Sequence, residues 1–153
     1  MQPTPAGRPD AAATPPSLTM KRRLNASPAE IWRAWTDPGL LTRWFGPDNV
    51  ETLEAEVDLR VGGAYRVTML ENNGERHQVS GVYHEIVENE RLVLSWAWVT
   101  TPERVSRVSV TLRPDGDATI LTLLHEQFFD AKALTGHIHG WTGSLDKLEA
   151  LFP

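Results

Sequence analysis

The side chains best suited to polar chemistry in this chain are His125, His137, His139, Tyr65 and Tyr83. His137-Ile138-His139 has the look of a metal-binding pair. Two residues apart on a helix, however, the rings diverge by about 200° and cannot share an ion. The chain has no cysteine, which removes thiolate nucleophiles, disulfides and Cys-based metal sites. Nothing in the remaining pattern supplies the ligand set of a zinc site, and neither a metal nor a cofactor is expected. His125 ends the inward row of an alternating segment and reads first as a hydrogen-bonded core histidine. The functional alternative is that His125 and His137 offer polar contacts to a cavity, while His139 faces outward. Tyr65 and Tyr83 each present an apolar ring with a hydroxyl, the type of group that fixes a guest's orientation. Glu54, Glu56 and Asp58 fall on a wet strand face, and Glu126 points away from His125. Gly62-Gly63 reads as a strand turn, not a phosphate loop, and no Ser/His/Asp arrangement is visible. Catalysis would require a histidine or tyrosine acting as acid or base on a bound guest, which spacing alone does not build.

Six tryptophans are the clearest compositional oddity. Each offers a large flat face and a single N–H donor. Trp32 and Trp35 read as core filler. Trp44, Trp96, Trp98 and Trp141 suit the lining of a pocket as well as they suit a core, and Trp96 and Trp98 share one strand face. Paired indoles favour a flat or aromatic guest over a long acyl chain. With Phe45, Val67, Met69 and Val108, and with the two tyrosines, His125 and His137, they make up the predicted ligand-binding set.

These groups need elements to hold them. Leu134, Ile138, Trp141, Leu145, Leu148 and Phe152 recur at spacings of 4, 3, 4, 3 and 4, one stripe of a helix running from Ala131 to Phe152. Asp130 caps its start and Pro153 follows its end. Gly136, Gly140 and Gly143 soften its first half, each at about 1 kcal/mol relative to alanine. Gly140 and Ser144 lie beside the stripe, whereas Gly136 and Gly143 project to the opposite side with no evident packing reason. Ser27-Pro28-Ala29-Glu30 is a capping box opening a short helix, and Asp37-Pro38 opens a second that Gly46-Pro47 closes.

Elsewhere the period is two. Leu18, Met20, Arg22 and Leu24 begin a strand, and Leu53, Ala55, Val57 and Leu59 form the inward row of another. Tyr65, Val67 and Met69 lead into the hairpin signal Asn72-Asn73-Gly74. Val79, Gly81 and Tyr83 follow, with Val82 and Ile86 competing for the same face. Leu92, Leu94, Trp96 and Trp98 form the next row, then Val108, Val110 and Leu112, then Thr119, Leu121, Leu123 and His125. About seven antiparallel strands and one long helix result. A flat sheet of that width has more apolar face than one helix covers. Curling it around the helix gives an α+β helix-grip fold with a space between the two layers.

The chain has 153 residues, a prior for one domain, with 41% hydrophobic and 23% charged residues. A net charge of −5 without a basic run argues against a nucleic-acid partner or an acidic membrane surface. No apolar run has the length of a membrane span. Residues 1–16, rich in proline and alanine, are expected to form a disordered tail ahead of a single domain over 17–153. They lack a secretory apolar segment, so a cytoplasmic location is expected, and Met20 offers an alternative start.

Seven stretches resemble one known family: Ala29-Glu30-Ile31-Trp32-Arg33-Ala34-Trp35-Thr36-Asp37-Pro38, Trp44-Phe45-Gly46-Pro47, Asp58-Leu59-Arg60-Val61-Gly62-Gly63, Gly81-Val82-Tyr83-His84-Glu85-Ile86, Arg91-Leu92-Val93-Leu94-Ser95-Trp96, Leu123-Leu124-His125-Glu126 and His137-Ile138-His139-Gly140-Trp141. In this order they resemble the START/Bet v 1-like superfamily, in the group named for the C-terminal domain of the activator of Hsp90 ATPase (AHSA1). The resemblance runs from about Thr19 to the C-terminus and implies the helix-grip fold. It also implies three kinds of activity, among which fold does not choose. The leading expectation is binding or sequestration of a small hydrophobic, aromatic molecule between sheet and helix. The alternatives are a cyclase- or hydrolase-like enzyme using the same cavity, and an interaction domain for an Hsp90-type chaperone. The full co-chaperone carries an additional N-terminal domain that the segment ahead of the match is too short to hold, which ranks the chaperone reading lower. A monomer or a homodimer fits the sequence equally.

Overall fold

The computed structural model describes residues 14–153, so most of the expected tail over 1–16 lies outside the described residues. Strand β1 (Leu18–Leu24) is followed by helices α1 (Pro28–Thr36) and α2 (Pro38–Trp44). Six strands come next: β2 (Val50–Val57), β3 (Ala64–Glu71), β4 (Arg76–Val87), β5 (Arg91–Trp98), β6 (Ser106–Asp115) and β7 (Ala118–Glu126). Helix α3 (Ala131–Ala150) ends the order. The strands form one antiparallel sheet in the order β1-β7-β6-β5-β4-β3-β2, so α1 and α2 carry the chain from one edge to the other. The sheet curls into a half-barrel around α3, the helix-grip arrangement. Among the described residues no helix is long and apolar enough to cross a membrane.

Local chemistry accounts for the boundaries. The Ser27 hydroxyl accepts from the Glu30 amide while the Glu30 carboxylate accepts from the Ser27 amide, closing the capping box of α1. Asp37 accepts from the amides of Gly39 and Leu40, and Asp130 from Ala133. Gly74 and Gly116, both at positive φ, make the turns between β3 and β4 and between β6 and β7. Curling has a marker in Gly81. A Cβ there would lie 2.0 Å from the Ser95 carbonyl oxygen, so β4 passes β5 too closely for any side chain.

Two register shifts correct the simple alternation. One, between Tyr83 and Glu85, reverses the side-chain parity. Val79 and Tyr83 are buried, and after the shift Ile86 packs on the core. The other lies between Thr52 and Glu54. It buries Thr52, turns Ala55 and Val57 toward the core, and leaves Leu53 exposed; Leu59, past the strand end, is exposed as well. The stripe of α3 also differs from expectation. Trp141, Ser144, Leu145 and Leu148 are its buried residues, whereas Ile138 is exposed. The half-buried His137, not Ile138, takes the sheet-facing position one turn before Trp141.

Gly143 has a packing role after all: its added Cβ would meet Pro47 Cα at 3.0 Å and Pro47 Cβ at 3.1 Å. This close approach docks the segment after α2 on α3. It is reinforced by the Gly46 amide, which donates to Ser144 Oγ over 2.9 Å. Thr52 Oγ1 in turn donates to the Phe45 carbonyl, tying β2 to the same segment.

Candidate functional site

A cleft of about 510 Å³ opens between the first turns of α3 and the β3–β5 side of the sheet. Of the predicted ligand-binding residues, Phe45, Met69, Trp96, Trp98, His137 and Trp141 line it. Gly136 and Gly140 form the helix side of the wall, with nothing within 4 Å of where a Cβ would stand. At the mouth are Arg104, Asp130, Lys132 and His139, all exposed.

The other predicted residues lie away from the cleft. Trp44 is fully buried, donates from Nε1 to the Ala34 carbonyl over 2.8 Å, and packs against Trp35 at 4.7 Å. Val67 and Val108 are core residues on β3 and β6. Tyr65 and Tyr83 pack together at 5.6 Å, and the Tyr65 hydroxyl donates to the Ser95 carbonyl over 2.7 Å. Burial pushes both phenols up, reinforced by Tyr83 beside Tyr65 and by Asp58 near Tyr83. His125 is wholly buried behind the cleft wall.

The tautomers of the two inner histidines follow from their partners. An indole N–H only donates, so a ring nitrogen facing one must accept. Trp141 Nε1 donates to His125 Nδ1 over 3.0 Å, leaving the proton on His125 Nε2, which donates to Ser106 Oγ over 2.7 Å. The Ser106 hydroxyl in turn donates to the Trp96 carbonyl over 3.3 Å. On His137 the roles are reversed. Trp96 and Trp98 donate to Nε2 over 3.2 and 3.1 Å, and Nδ1–H donates to the Ala133 carbonyl over 2.7 Å. Both rings are therefore neutral. Burial, and after it the neighbouring His137, lowers His125 to about 2. Burial also lowers His137, against the opposing pull of the Ala133 carbonyl.

The two imidazoles stand edge to face at 4.9 Å, with Phe128 against each at 4.2 and 4.8 Å. Trp96 links the cluster to Phe45 at 5.8 Å and to Trp141 at 5.2 Å. Chemically this is an apolar wall whose imidazole nitrogens are all engaged, with two indole N–H groups directed at the one acceptor of His137. Neither ring holds a free basic nitrogen in this arrangement.

Sequence reasoning missed Phe128 and Ser106, although an aromatic doublet, Phe128-Phe129, ahead of a capped helix was a usable signal. It also missed the group at the β3–β4 hairpin. His77 Nε2 lies 2.7 Å from Glu71 Oε1 and 3.9 Å from Glu75 Oε1, and Glu71 and His77 border the cleft. The three offer one ligand atom each within 4.8 Å of one another. The Asn72-Asn73-Gly74 turn brings the three together, a convergence that follows from the hairpin register.

The match that decides the family spans residues 25–153, the region containing the helices, the cleft and its histidines. It is to a family model described as activator of Hsp90 ATPase homolog 1-like protein. The chain belongs to the AHSA1 family. Solved structures with the same fold include protein CV1439 from Chromobacterium violaceum. That protein is 31% identical over 90% of this chain and 98% of its own, with a TM-score of 0.80. The AHSA1 protein SPO3351 from Silicibacter pomeroyi is 26% identical over 88% of this chain and 96% of its own, with a TM-score of 0.78. CalU16 from Micromonospora echinospora is 28% identical over 88% of this chain and 74% of its own, with a TM-score of 0.66. No curated protein matches. As an AHSA1 domain the chain has the seven-stranded grip and terminal helix, and its indole-lined cleft lies in the gap between those two layers.

Proposed function

We propose that this AHSA1 domain binds a small hydrophobic, aromatic molecule in the cleft between sheet and α3 and holds it without chemical change. The observation that carries the reading is the cleft wall itself. Trp96, Trp98, Trp141 and Phe45 offer flat apolar faces around a volume within the ~300–1,000 Å³ typical of small-molecule sites. The nitrogens of His125 and His137 behind them are spent on hydrogen bonds within the wall, which suits a binding surface better than a catalytic base.

Titration with 2-ethylnaphthalene should quench tryptophan emission, and dialysis should restore it. Unaltered emission, together with no heat in calorimetry, counts against the reading. Turnover would instead show as new product that His137→Ala or Tyr83→Phe abolishes while binding persists. The family description favours a protein partner as a second reading, which would appear as stimulation of an Hsp90 ATPase on adding this domain.

A further inference from the structure

Two indole N–H groups converge on one lone pair. A neutral imidazole has a single acceptor nitrogen, and on His137 that nitrogen, Nε2, faces both Trp96 Nε1 at 3.2 Å and Trp98 Nε1 at 3.1 Å. The other ring nitrogen is committed to the Ala133 carbonyl. Only one donor can lie along the lone pair, so the two indoles share it and one N–H is in surplus. The surroundings decide which. Trp96 is buried and wedged among Phe45, His125 and Trp141. Trp98 is half-buried, at the open side of the cleft.

The side chains around the cleft carry charges of both signs in equal number. The lining includes two carboxylates, Glu71 and Asp130, and two cations, Arg104 and Lys132, and Glu71 is further engaged by His77 and Asn49. Such a balance selects neither an anion nor a cation, leaving recognition to neutral hydrogen bonding.

We infer that Trp98 Nε1–H is the donor offered to the guest, and that the cleft prefers planar aromatic molecules carrying a neutral carbonyl oxygen. The guest oxygen takes the Trp98 N–H, Trp96 keeps the His137 lone pair to itself, and the aromatic body lies against Phe45, Met69 and Trp141. No polar group loses its partner in the exchange, which is the condition for a buried hydrogen bond to add affinity. The inference rests on the binding function proposed above and refines it.

The test is a matched pair, 2-acetylnaphthalene and 2-ethylnaphthalene, similar in shape and differing in the carbonyl. Calorimetry with protein titrated into ligand should find the acetyl compound bound about 2- to 12-fold tighter, the range of one neutral hydrogen bond. Trp98→Phe should bring that ratio to about one. Independently, the Trp98 indole N–H resonance of the unaltered protein should move further downfield with the acetyl compound than with the ethyl one, the difference reporting the hydrogen bond over a ring-current shift common to both. This readout stands even where the variant fails to fold. Equal affinities, or equal shifts at Trp98 with the two compounds, overturn the carbonyl preference and leave the binding function standing. Binding of neither compound overturns both.

Discussion

Trp141 and His125 join α3 to β7 through a 3.0 Å hydrogen bond whose acceptor nitrogen cannot take a proton without losing the bond. The opposite nitrogen of the ring already holds its proton against Ser106. Folding thus selects the neutral form of His125, and acid works against the fold.

The direction of the pH effect follows. The ordinary value of 6.5 describes the unfolded chain, and burial lowers the folded value to about 2. Between these limits the unfolded state binds the extra proton. The stabilisation is complete above pH 6.5 and is lost progressively as pH falls. Urea unfolding between pH 7 and pH 5 should show stability falling at up to ~1.4 kcal/mol per pH unit from this group. His125→Gln should flatten that slope, and an unchanged slope would show the acid sensitivity to originate elsewhere.

The glycines of α3 should divide by what they face. Gly143→Ala drives a methyl group into Pro47, 3.0 Å away, and should lower Tm. Gly136→Ala meets nothing within 4 Å and should gain up to about 1 kcal/mol of helix propensity, raising Tm. Thermal melts of the two variants check the contrast, and equal effects would contradict the docking contact.

Removing the Ser144 hydroxyl leaves the buried Gly46 amide without its acceptor. Ser144→Ala should cost about 1–3 kcal/mol in denaturant unfolding. A loss much smaller than that would mean the segment after α2 is held by Gly143 and Pro47 packing alone.

Filling the cleft tests the binding function without touching its indoles. Gly140→Leu places a side chain where the wall is open. It should weaken 2-acetylnaphthalene at least ~10-fold, as expected when a pocket loses ligand-sized volume. Calorimetry against the parent protein reads the change, with circular dichroism confirming the fold.

Much of the fold was legible because period and punctuation agreed. The capping box of α1, the aspartate caps of α2 and α3 and the turn glycines marked the ends of most elements, and the alternating rows gave the strands. The failures trace to two bulges and one polar residue. A single extra residue near Leu53 and another near His84 reverse side-chain parity; the first has no local signal, and the second shows only as Ile86 competing for the face of Val79 and Tyr83. His137 displaced Ile138 from the inward stripe because its nitrogens meet two indoles and a carbonyl, partners contributed by β5 and by the previous turn of α3. The site was legible as a collection of residue types. Its division was not, since only the three-dimensional course of β3 and β4 sends Tyr65 and Tyr83 away from the cleft while keeping Met69 on it. Trp35 leaves a loose end: its buried indole N–H has no partner among the described residues.

The place of β1 beside β7 bears on how the protein is made. Leu18 pairs with His125 and Leu24 with Thr119, partners separated by roughly a hundred residues of synthesis. At about 5–20 residues per second the ribosome produces β1 some 5–20 s before its neighbour exists. During that interval the β2–β6 meander can zip up through its own short turns while the first strand waits. Pairing of β1 with β7 must then wait until the nascent chain has delivered β7, and α3 docks only after that.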